Sequence, residues 1–237
     1  MSRTNAAEGQ GDAGGKSRST ATALARKRLI AGAVIDILAS EGARSLTHRR
    51  IDAHLGLPQG ATSYYYPRRF DLLKAGFNRL FDDGFEEFLH CYGPVIRRLE
   101  AGEALDVDLV AESAYRHWKA VTQPSGRDMA IARFEFYLLA THDPKLLAVQ
   151  NERRRTMFEL TAKIFAGLGS SNPKRASSEF SSRVQGDYIS HFIAPSFSRA
   201  TLTAADFAAR IRQLVDESAS AKIDRTHGAD QASLIAM

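Results

Sequence analysis

The chain of 237 residues contains one cysteine, Cys91, and no long hydrophobic run. A single cysteine excludes an intramolecular disulfide and fits the cytoplasm. No stretch approaches the roughly 20 apolar residues that a membrane-spanning helix needs, and the N-terminus lacks the apolar region of a secretory signal. We therefore expect a cytoplasmic protein without a membrane span, and its 44% hydrophobic residues are enough to form a sizeable core.

The motifs of common enzymes are also absent. The sequence has no cysteine pair, no His-x-x-x-His, no Gly-x-Ser-x-Gly, and no phosphate-binding loop or dinucleotide-binding motif. His90 and Cys91 are adjacent, but neighbouring residues on a helix point in different directions and make a poor metal site. The sequence therefore predicts no catalytic residue, no metal site and no cofactor.

Apolar residues recur at helical spacing along most of the chain, and no segment alternates as a strand does, which predicts an all-α fold. Residues 1–20 are predicted to form a disordered tail and residues 220–237 a frayed one. Between them we expect an N-terminal domain over 21–67 and a helical C-terminal domain over 68–219. The predicted helices cover residues 22–41, 48–55, 59–66, 68–90, 105–121, 127–141, 144–168, 174–193 and 203–218, with a break at Gly93-Pro94 and a turn at 123–126.

Residues 46–73 have the layout of a helix-turn-helix, which places one helix in the DNA major groove. Thr47 is a suitable N-cap for the first of its two short helices. Gly56 suits the positive φ at that helix's end. Pro58 suits the first turn of the second helix, where its missing N–H costs nothing, and Pro67 ends that helix. The segment therefore predicts DNA binding.

Positive charge is concentrated in the same part of the chain. Residues 1–80 hold 13 Lys and Arg and 6 Asp and Glu, a net charge of +7, whereas the remainder has a net charge of −2. Basic side chains that contact phosphate supply much of the affinity of DNA-binding proteins. The basic residues Arg18, Arg26, Lys27 and Arg28 form either a flexible arm that reaches a minor groove or an inert tail.

Residues 22–77 resemble the tetracycline-repressor (TetR) family of bacterial transcription regulators. The resemblance rests on Leu46-Thr47, Gly56-Leu57, the run Tyr64-Tyr65-Tyr66, Pro67-Arg68-Arg69 and Leu72-Leu73. A looser match continues through Arg133-Phe134-Glu135 and Asp143-Pro144. The resemblance implies that three N-terminal helices bind DNA and that the C-terminal helices bind an effector and a second, identical subunit.

The resemblance also implies which residues contact DNA. Thr47, Tyr65 and Arg69 would contact phosphates. Base edges or thymine methyl groups would be contacted by His48, Pro58, Gln59, Ala61 and Tyr64, and the predicted surface is completed by Arg49, Gly60, Thr62 and Arg68. Asp52 stands where the family commonly has a small apolar residue, and Thr62-Ser63 stand where a Leu-Tyr pair is common, so we expect unusual base readout.

Aromatic residues on separate C-terminal helices predict a cavity for a small molecule, since sites between bundle helices are mostly apolar with a few polar groups. His117, Gln185 and Asp187 are candidates for orienting a polar or cationic ligand. Each aromatic residue is also compatible with a purely structural place in the core. The predicted lining is Tyr115, Trp118, Phe134, Tyr137, Phe158, Tyr188 and Phe192.

Together these features predict a homodimeric regulator, a repressor that a small apolar or aromatic effector releases from a palindromic operator in double-stranded DNA. We expect residues 174–193 and 203–218 to form the dimer interface. The alternative is an architectural DNA-binding protein without an effector, which would bind DNA without sequence preference. A helix that lies on a membrane surface is a further alternative.

Overall fold

A computed structural model describes residues 13–193, 195 and 202–217, without the side chains of residues 13–19, 125 and 193. Within this part of the chain there are nine helices and no strand, which confirms the predicted all-α fold. None of the described helices is long and apolar enough to cross a membrane. The helices are α1 (Ala13–Glu41), α2 (His48–His54), α3 (Ala61–Tyr65), α4 (Arg69–Glu100), α5 (Val107–Thr122), α6 (Pro124–Thr141), α7 (Pro144–Gly167), α8 (Pro173–Ile193) and α9 (204–217).

The first hydrophobic core lies between α1, α2, the first half of α4 and α6. Ile30 and Val34 on α1 and Leu72 on α4 are completely buried. From α6, Phe136 meets Phe77 of α4 edge-on, with ring centroids 5.3 Å apart. This core therefore includes residues from both sides of the boundary predicted at residues 67–68, and it fixes α6 to the N-terminal helices.

The second core lies between α5, the second half of α4 and helices α7 to α9. Trp118 of α5 stacks on Tyr188 of α8 with ring centroids 4.9 Å apart and an interplanar angle of 7°. Helix α9 is held to the same core by four buried apolar side chains, those of Phe207, Ala208, Ile211 and Leu214. Thus the two cores share α4 as their common helix.

The first helix begins earlier than predicted. It starts at Ala13 instead of residue 22, so residues 13–20, which the sequence assigns to a tail, are helical. After Gly15 this segment contains neither glycine nor proline until Gly32, and a helix anchored by its packed part gains one hydrogen bond for each residue added. The rest of that predicted tail and the C-terminal tail at 220–237 lie outside the described residues.

The predicted break at Gly93-Pro94 is wrong, because α4 continues through Pro94 to Glu100. Proline removes the hydrogen bond to the carbonyl of His90. His90 is exposed, so water can bind that carbonyl, while the buried side chains of Tyr92 and Val95 keep this part of the helix packed against the second core. Tertiary packing therefore overrides the local signal for a break.

The predicted turn at residues 123–126 is wrong as well, since α6 already begins at Pro124. Gln123 is its N-cap with an extended backbone, and Pro124 occupies the first turn, where a missing N–H has no cost. The remaining C-terminal boundaries agree with the predictions to within one or two residues. Asp143, for example, caps α7 by accepting hydrogen bonds from the backbone N–H groups of Lys145 and Leu146.

Gly76 allows α4 to lie directly against α1 and α6. A Cβ atom at this position would be 2.8 Å from Cβ of Val34 and 3.3 Å from Cζ of Phe136. We expect Gly76→Ala to lower the free energy of unfolding by about 1–3 kcal/mol, because both neighbours are held in a filled core. Urea unfolding followed by circular dichroism measures this difference.

Gly32 of α1 provides the matched control. No atom lies within 4 Å of a Cβ built there. Gly32→Ala should therefore raise the stability by about 0.5–1 kcal/mol through the better helix propensity of alanine. Equal effects of the two substitutions would contradict the close packing assigned to Gly76.

Candidate DNA-binding surface and ligand cavity

The helix-turn-helix is built from caps and one tight turn. The Thr47 hydroxyl accepts a hydrogen bond from the N–H of Arg50 at 3.1 Å, so it caps α2 as predicted. Gly56 ends this region with a φ of +61°. Leu57 then donates its N–H to the carbonyl of Asp52 at 2.8 Å, which reverses the chain toward α3.

Helix α3 is shorter than predicted and is capped from a distance. It runs from Ala61 to Tyr65, and its N-cap, Gly60, has a φ of +91° and no side chain that could bind the free N–H groups. The carboxylate of Asp52 on α2 takes this role. It accepts hydrogen bonds from the N–H of Gly60 at 2.8 Å, the N–H of Thr62 at 2.8 Å and the Thr62 hydroxyl at 2.6 Å.

Asp52 is almost completely buried, with 3% of the residue exposed. Burial alone would raise the pKa of Asp52, but the hydrogen bonds from Thr62 and Gly60, with a smaller effect of His48, bring it below the usual value. The two departures from the TetR pattern, at Asp52 and at Thr62, are therefore one feature: a buried carboxylate and its hydroxyl partner that fix α3 to α2.

This pairing corrects one predicted DNA contact. Thr62 is completely buried and bound to Asp52, so its side chain cannot reach a base. Pro58 and Gln59 lie in the turn before α3 and not within it, but both are exposed, as is Gly60, while Ala61 is half-buried. Tyr64 is 81% exposed, and its ring meets the half-buried ring of Tyr65 edge-on.

Several predicted contacts already have partners within the protein. Nε2 of His48 lies 2.6 Å from the carbonyl oxygen of Tyr66. Arg68 forms an ion pair with Asp71 at 2.7 Å, and Arg69 donates to the carbonyls of Leu46 and Ala43. Arg49 is exposed and has no hydrogen bond or ion pair with the described residues.

A cavity of about 400 Å³ lies among α4, α5, α6, α7 and α8. Four of the seven predicted residues line it, namely Phe134, Tyr137, Phe158 and Tyr188, and His117 and Gln185 line it as well. Phenylalanines of α4 supply much of the remaining apolar wall: Phe77, Phe81, Phe85 and Phe88.

The other three predicted aromatic residues do not line the cavity. Trp118 is buried behind Tyr188 in the second core. Tyr115 lies beneath the ammonium group of Lys119, and Phe192 meets the ring of His191. Asp187, a candidate for orienting a ligand, forms an ion pair with Arg210 of α9 instead.

Three arginines that the sequence did not predict also line the cavity, namely Arg133, Arg154 and Arg155. A signal for Arg133 was available, because it interrupts the mostly apolar run from Met129 to Ala140 on α6. Cationic side chains with such neighbours usually lie at a surface or in a site. Arg154 places its guanidinium 5.5 Å from the ring centroid of Tyr137.

His117 lies at the α5 wall of the cavity, where its Nδ1 is 3.2 Å from the hydroxyl of Tyr188. Burial, and to a lesser extent the charge of Arg133, lowers the pKa of His117 to about 4. The ring is therefore neutral at pH 7 and adds no charge to the cavity. The side chains of the neighbours His90 and Cys91 lie in different surroundings. Cys91 is buried with its thiol against Glu87, and His90 is exposed. In the described part of the chain, no three His, Cys, Asp or Glu side chains are grouped as metal ligands.

Residues 102–217 match the family model of the tetracyclin repressor-like C-terminal domain. A search of curated proteins gives no match. Solved structures share the fold along most of the chain. SCO7518 from Streptomyces coelicolor A3(2), described as a transcriptional regulator, is 22% identical with a TM-score of 0.58, and the match covers 80% of this chain and 97% of that one.

Two further structures show the same fold. The transcriptional regulator RHA1_ro04179 from Rhodococcus sp. Rha1 is 15% identical with a TM-score of 0.64, over 81% of this chain and 96% of the other. A protein from Saccharomonospora viridis, described as a transcriptional regulator and solved in complex with choline, is 14% identical with a TM-score of 0.59 over the same shares of the two chains.

A helix-turn-helix followed by a helical domain of this type is the architecture of a transcriptional regulator. Residues 102–217 are of the tetracycline-repressor C-terminal type, which agrees with the family that the motifs of residues 22–77 resemble, and the solved structures share this fold over about four fifths of the chain. The individual DNA and ligand contacts remain predictions.

The Asp52 cap can be tested by Asp52→Ala. The substitution leaves the buried N–H and hydroxyl of Thr62 without an acceptor, and one such group costs about 1–3 kcal/mol. We expect a loss of stability of that size and weaker DNA binding, because α3 loses its attachment to α2. Thr62→Val, which removes only the hydroxyl, should have a smaller effect in the same direction. Urea unfolding measures the first effect and fluorescence anisotropy with DNA the second.

Asp36→Ala is the control, since Asp36 is an exposed carboxylate on α1 that contacts one side chain of the described residues, His54, at 3.3 Å. Its effect should stay within about 0.5 kcal/mol. Because the pKa of Asp52 is lowered, its carboxylate stabilises the fold above about pH 4 and loses this effect as the pH falls further. Similar stabilities of Asp52→Ala and Asp36→Ala would contradict the cap.

Proposed function

We propose that this protein is a ligand-responsive repressor that binds a palindromic operator as a homodimer and leaves it when a small molecule occupies the cavity. The observation that carries the proposal is that α4 and α6 both line the cavity and both bind Ala43, in the loop that leads into the helix-turn-helix. The choline complex of the Saccharomonospora viridis protein supports a ligand site in this fold. The cytoplasm is the expected location.

The proposed DNA-binding surface consists of the exposed turn before α3 and the outer face of α3. Tyr64 and Gln59 project from it. Gln can bind adenine through two hydrogen bonds in the major groove. Arg49 is exposed without a partner among the described residues and is suited to a phosphate. Two such surfaces, related by two-fold symmetry, require a palindromic site.

The proposed dimer interface consists of the outer faces of α8 and α9. The larger apolar residues of α9, Phe207, Ile211 and Leu214, are buried in the core of their own chain, so the outer faces of these helices must supply the contacts. Ile189 on α8 is 43% exposed and is the apolar candidate there. Isologous packing of these helices would give a four-helix bundle across the two-fold axis.

Two routes connect the cavity to the helix-turn-helix, and both end at Ala43, between α1 and α2. Helix α4, about 48 Å long at 1.5 Å per residue, lines the cavity with Phe81, Phe85 and Phe88. At its N-terminal end, Arg69 donates to the Ala43 carbonyl at 3.0 Å. On α6, Glu135 accepts the Ala43 N–H at 3.2 Å.

A ligand that shifts α4 or α6 would therefore change the position of α2 and α3. The two recognition helices of a dimer must stay about 34–36 Å apart to enter successive major grooves. A coupling of about 1–3 kcal/mol changes the affinity for DNA 5- to 150-fold. Because this coupling is reciprocal, the operator must weaken ligand binding by the same factor.

The first experiment selects an operator for the full-length protein from random DNA and measures affinity by fluorescence anisotropy. We expect Arg49→Ala to weaken all sequences alike and to lower the salt slope by about one. Gln59→Ala should cost about 1–3 kcal/mol and relax discrimination at one base position. Arg127→Ala, an exposed arginine at the start of α6, should change neither.

Failure to enrich any sequence, or equal competition by scrambled DNA, would contradict the operator and favour the architectural alternative. Light scattering on the same samples measures the mass of the free protein. A monomer at micromolar concentration would contradict the dimer.

The second experiment tests the route through α6 with compounds that stabilise the free protein in a thermal-shift screen. We expect Glu135→Ala to bind such a compound as the unchanged protein does, but to release DNA less in response, because the bond to Ala43 is lost. Glu135→Gln keeps an acceptor oxygen and should retain the response. The measured quantity is the ratio of DNA affinities without and with the compound. An equal ratio in Glu135→Ala and the unchanged protein would exclude this route.

A further inference from the structure

We propose that the effector is an amphipathic anion, with an apolar body among the phenylalanines of the cavity and a carboxylate or similar monoanionic head group bound by Arg133. This inference rests on the proposed function only in taking the cavity as the effector site. It narrows the expected effector from a small apolar, polar or cationic molecule to one class.

The charges around the cavity have one sign. Three arginines line it, and none of its lining residues within the described chain is Asp or Glu. His117 is neutral at pH 7, so it adds no charge of either sign to the cavity. A cationic ligand would thus enter a region of positive potential without a counterion, whereas an anion would be attracted.

Arg133 is the arginine placed to bind the head group. It is half-buried, and it has neither a hydrogen bond nor an ion pair with the described residues. Two other half-buried arginines, Arg153 and Arg210, do pair with carboxylates, those of Asp82 and Asp187. A partly desolvated guanidinium without a carboxylate is costly, and an anionic ligand would remove this cost.

Gly84 of α4 provides the space for the Arg133 guanidinium. A Cβ atom at Gly84 would lie only 2.6 Å from Nη2 of Arg133, so the arginine rests directly against the backbone of α4. In this position its charge acts on two other groups at the cavity wall: it lowers the pKa of His117 and opposes the rise in the pKa of Tyr188 that burial causes. Arg133 is also among the residues that line the cavity, so its half-buried guanidinium lies at the cavity wall.

The apolar part of the ligand is defined by the remaining wall. Aromatic rings from α4, α6 and α7 surround a volume of about 400 Å³, which suits an aromatic or aliphatic body of modest size. A guanidinium binds a carboxylate through two parallel hydrogen bonds, and this geometry distinguishes it from a neutral hydroxyl. The chemistry therefore points to a monocarboxylate with an apolar body.

The test compares head groups on matched bodies, using the free full-length protein without DNA. The probes are the carboxylate, alcohol and primary amine forms of phenylbutyl, naphthylmethyl and decyl bodies, with the sulfonates as a second anion. Isothermal titration calorimetry at pH 7.4 measures the affinities. For at least one body the carboxylate should bind about 10- to 100-fold tighter than the alcohol, as expected for hydrogen bonds to a charged group, and the amine should bind most weakly. Equal affinities of the sulfonates and carboxylates would show that the site selects the negative charge. Higher affinities of the carboxylates would show that it also selects the planar shape of the head group. Both outcomes support an anion site.

Three variants assign the preference to Arg133. Arg133→Gln should abolish the preference for the acid and leave the affinity for the alcohol unchanged. Gly84→Ala should weaken the acid selectively, because the new Cβ displaces the guanidinium without removing its charge. Arg127→Gln, on the same helix but outside the cavity, should behave as the unchanged protein.

The inference is overturned if the amines or alcohols bind as tightly as the acids, if Arg133→Gln weakens all head groups alike, or if no acid binds to the folded protein. The measurement is independent of regulation. Acids that bind through Arg133 without changing the affinity for the operator would leave the anion site in place and refute the release mechanism.

Discussion

Two hydrogen bonds at one residue, Ala43, attach the loop that leads into the helix-turn-helix to the helices that line the cavity. The N–H of Ala43 is bound by Glu135 of α6, and its carbonyl is bound by Arg69 of α4. Both bonds are made by charged side chains, which form stronger hydrogen bonds than neutral groups. Since Ala43 lies between α1 and α2, the loop that leads into the DNA-binding helices is held from two sides by helices of the cavity.

This arrangement makes the N-terminal part of the protein structurally dependent on the C-terminal part. Helix α6 illustrates why. Arg133 and Phe134 line the cavity, while the next two residues, Glu135 and Phe136, contact the loop at Ala43 and the first core. Consecutive helix residues face different directions, so a single turn of α6 serves both regions. A bound molecule that rotated this turn would displace the residues at the cavity and those at the Ala43 loop together.

The sequence predicts features that depend on neighbouring residues and fails where distant residues decide. Thr47 and Gly56 act as expected because a cap and a positive φ are local properties. The burial of Thr62 was not predictable, since it depends on Asp52, ten residues away on another helix. Pro94 signals a break locally, but the buried residues on either side of it keep α4 continuous.

The cavity, too, can be predicted only in part from the sequence. Aromatic residues on separate helices indicate a pocket, yet their spacing alone cannot separate Phe134, which lines it, from Trp118, which lies behind it. Arg133 was overlooked because a charged residue in a helix usually points to solvent. Only the packing of α6 against Gly84 turns it inward.

The stacking of Trp118 on Tyr188 has a consequence for spectroscopy. Trp118 is the single tryptophan of the chain, and Tyr188 separates it from the cavity. Its emission therefore comes from one buried environment and carries no signal from solvent-exposed indoles. A molecule in the cavity contacts the ring of Tyr188 and not the indole, so energy transfer from the excited indole to an absorbing ligand will be a more direct optical readout than contact quenching.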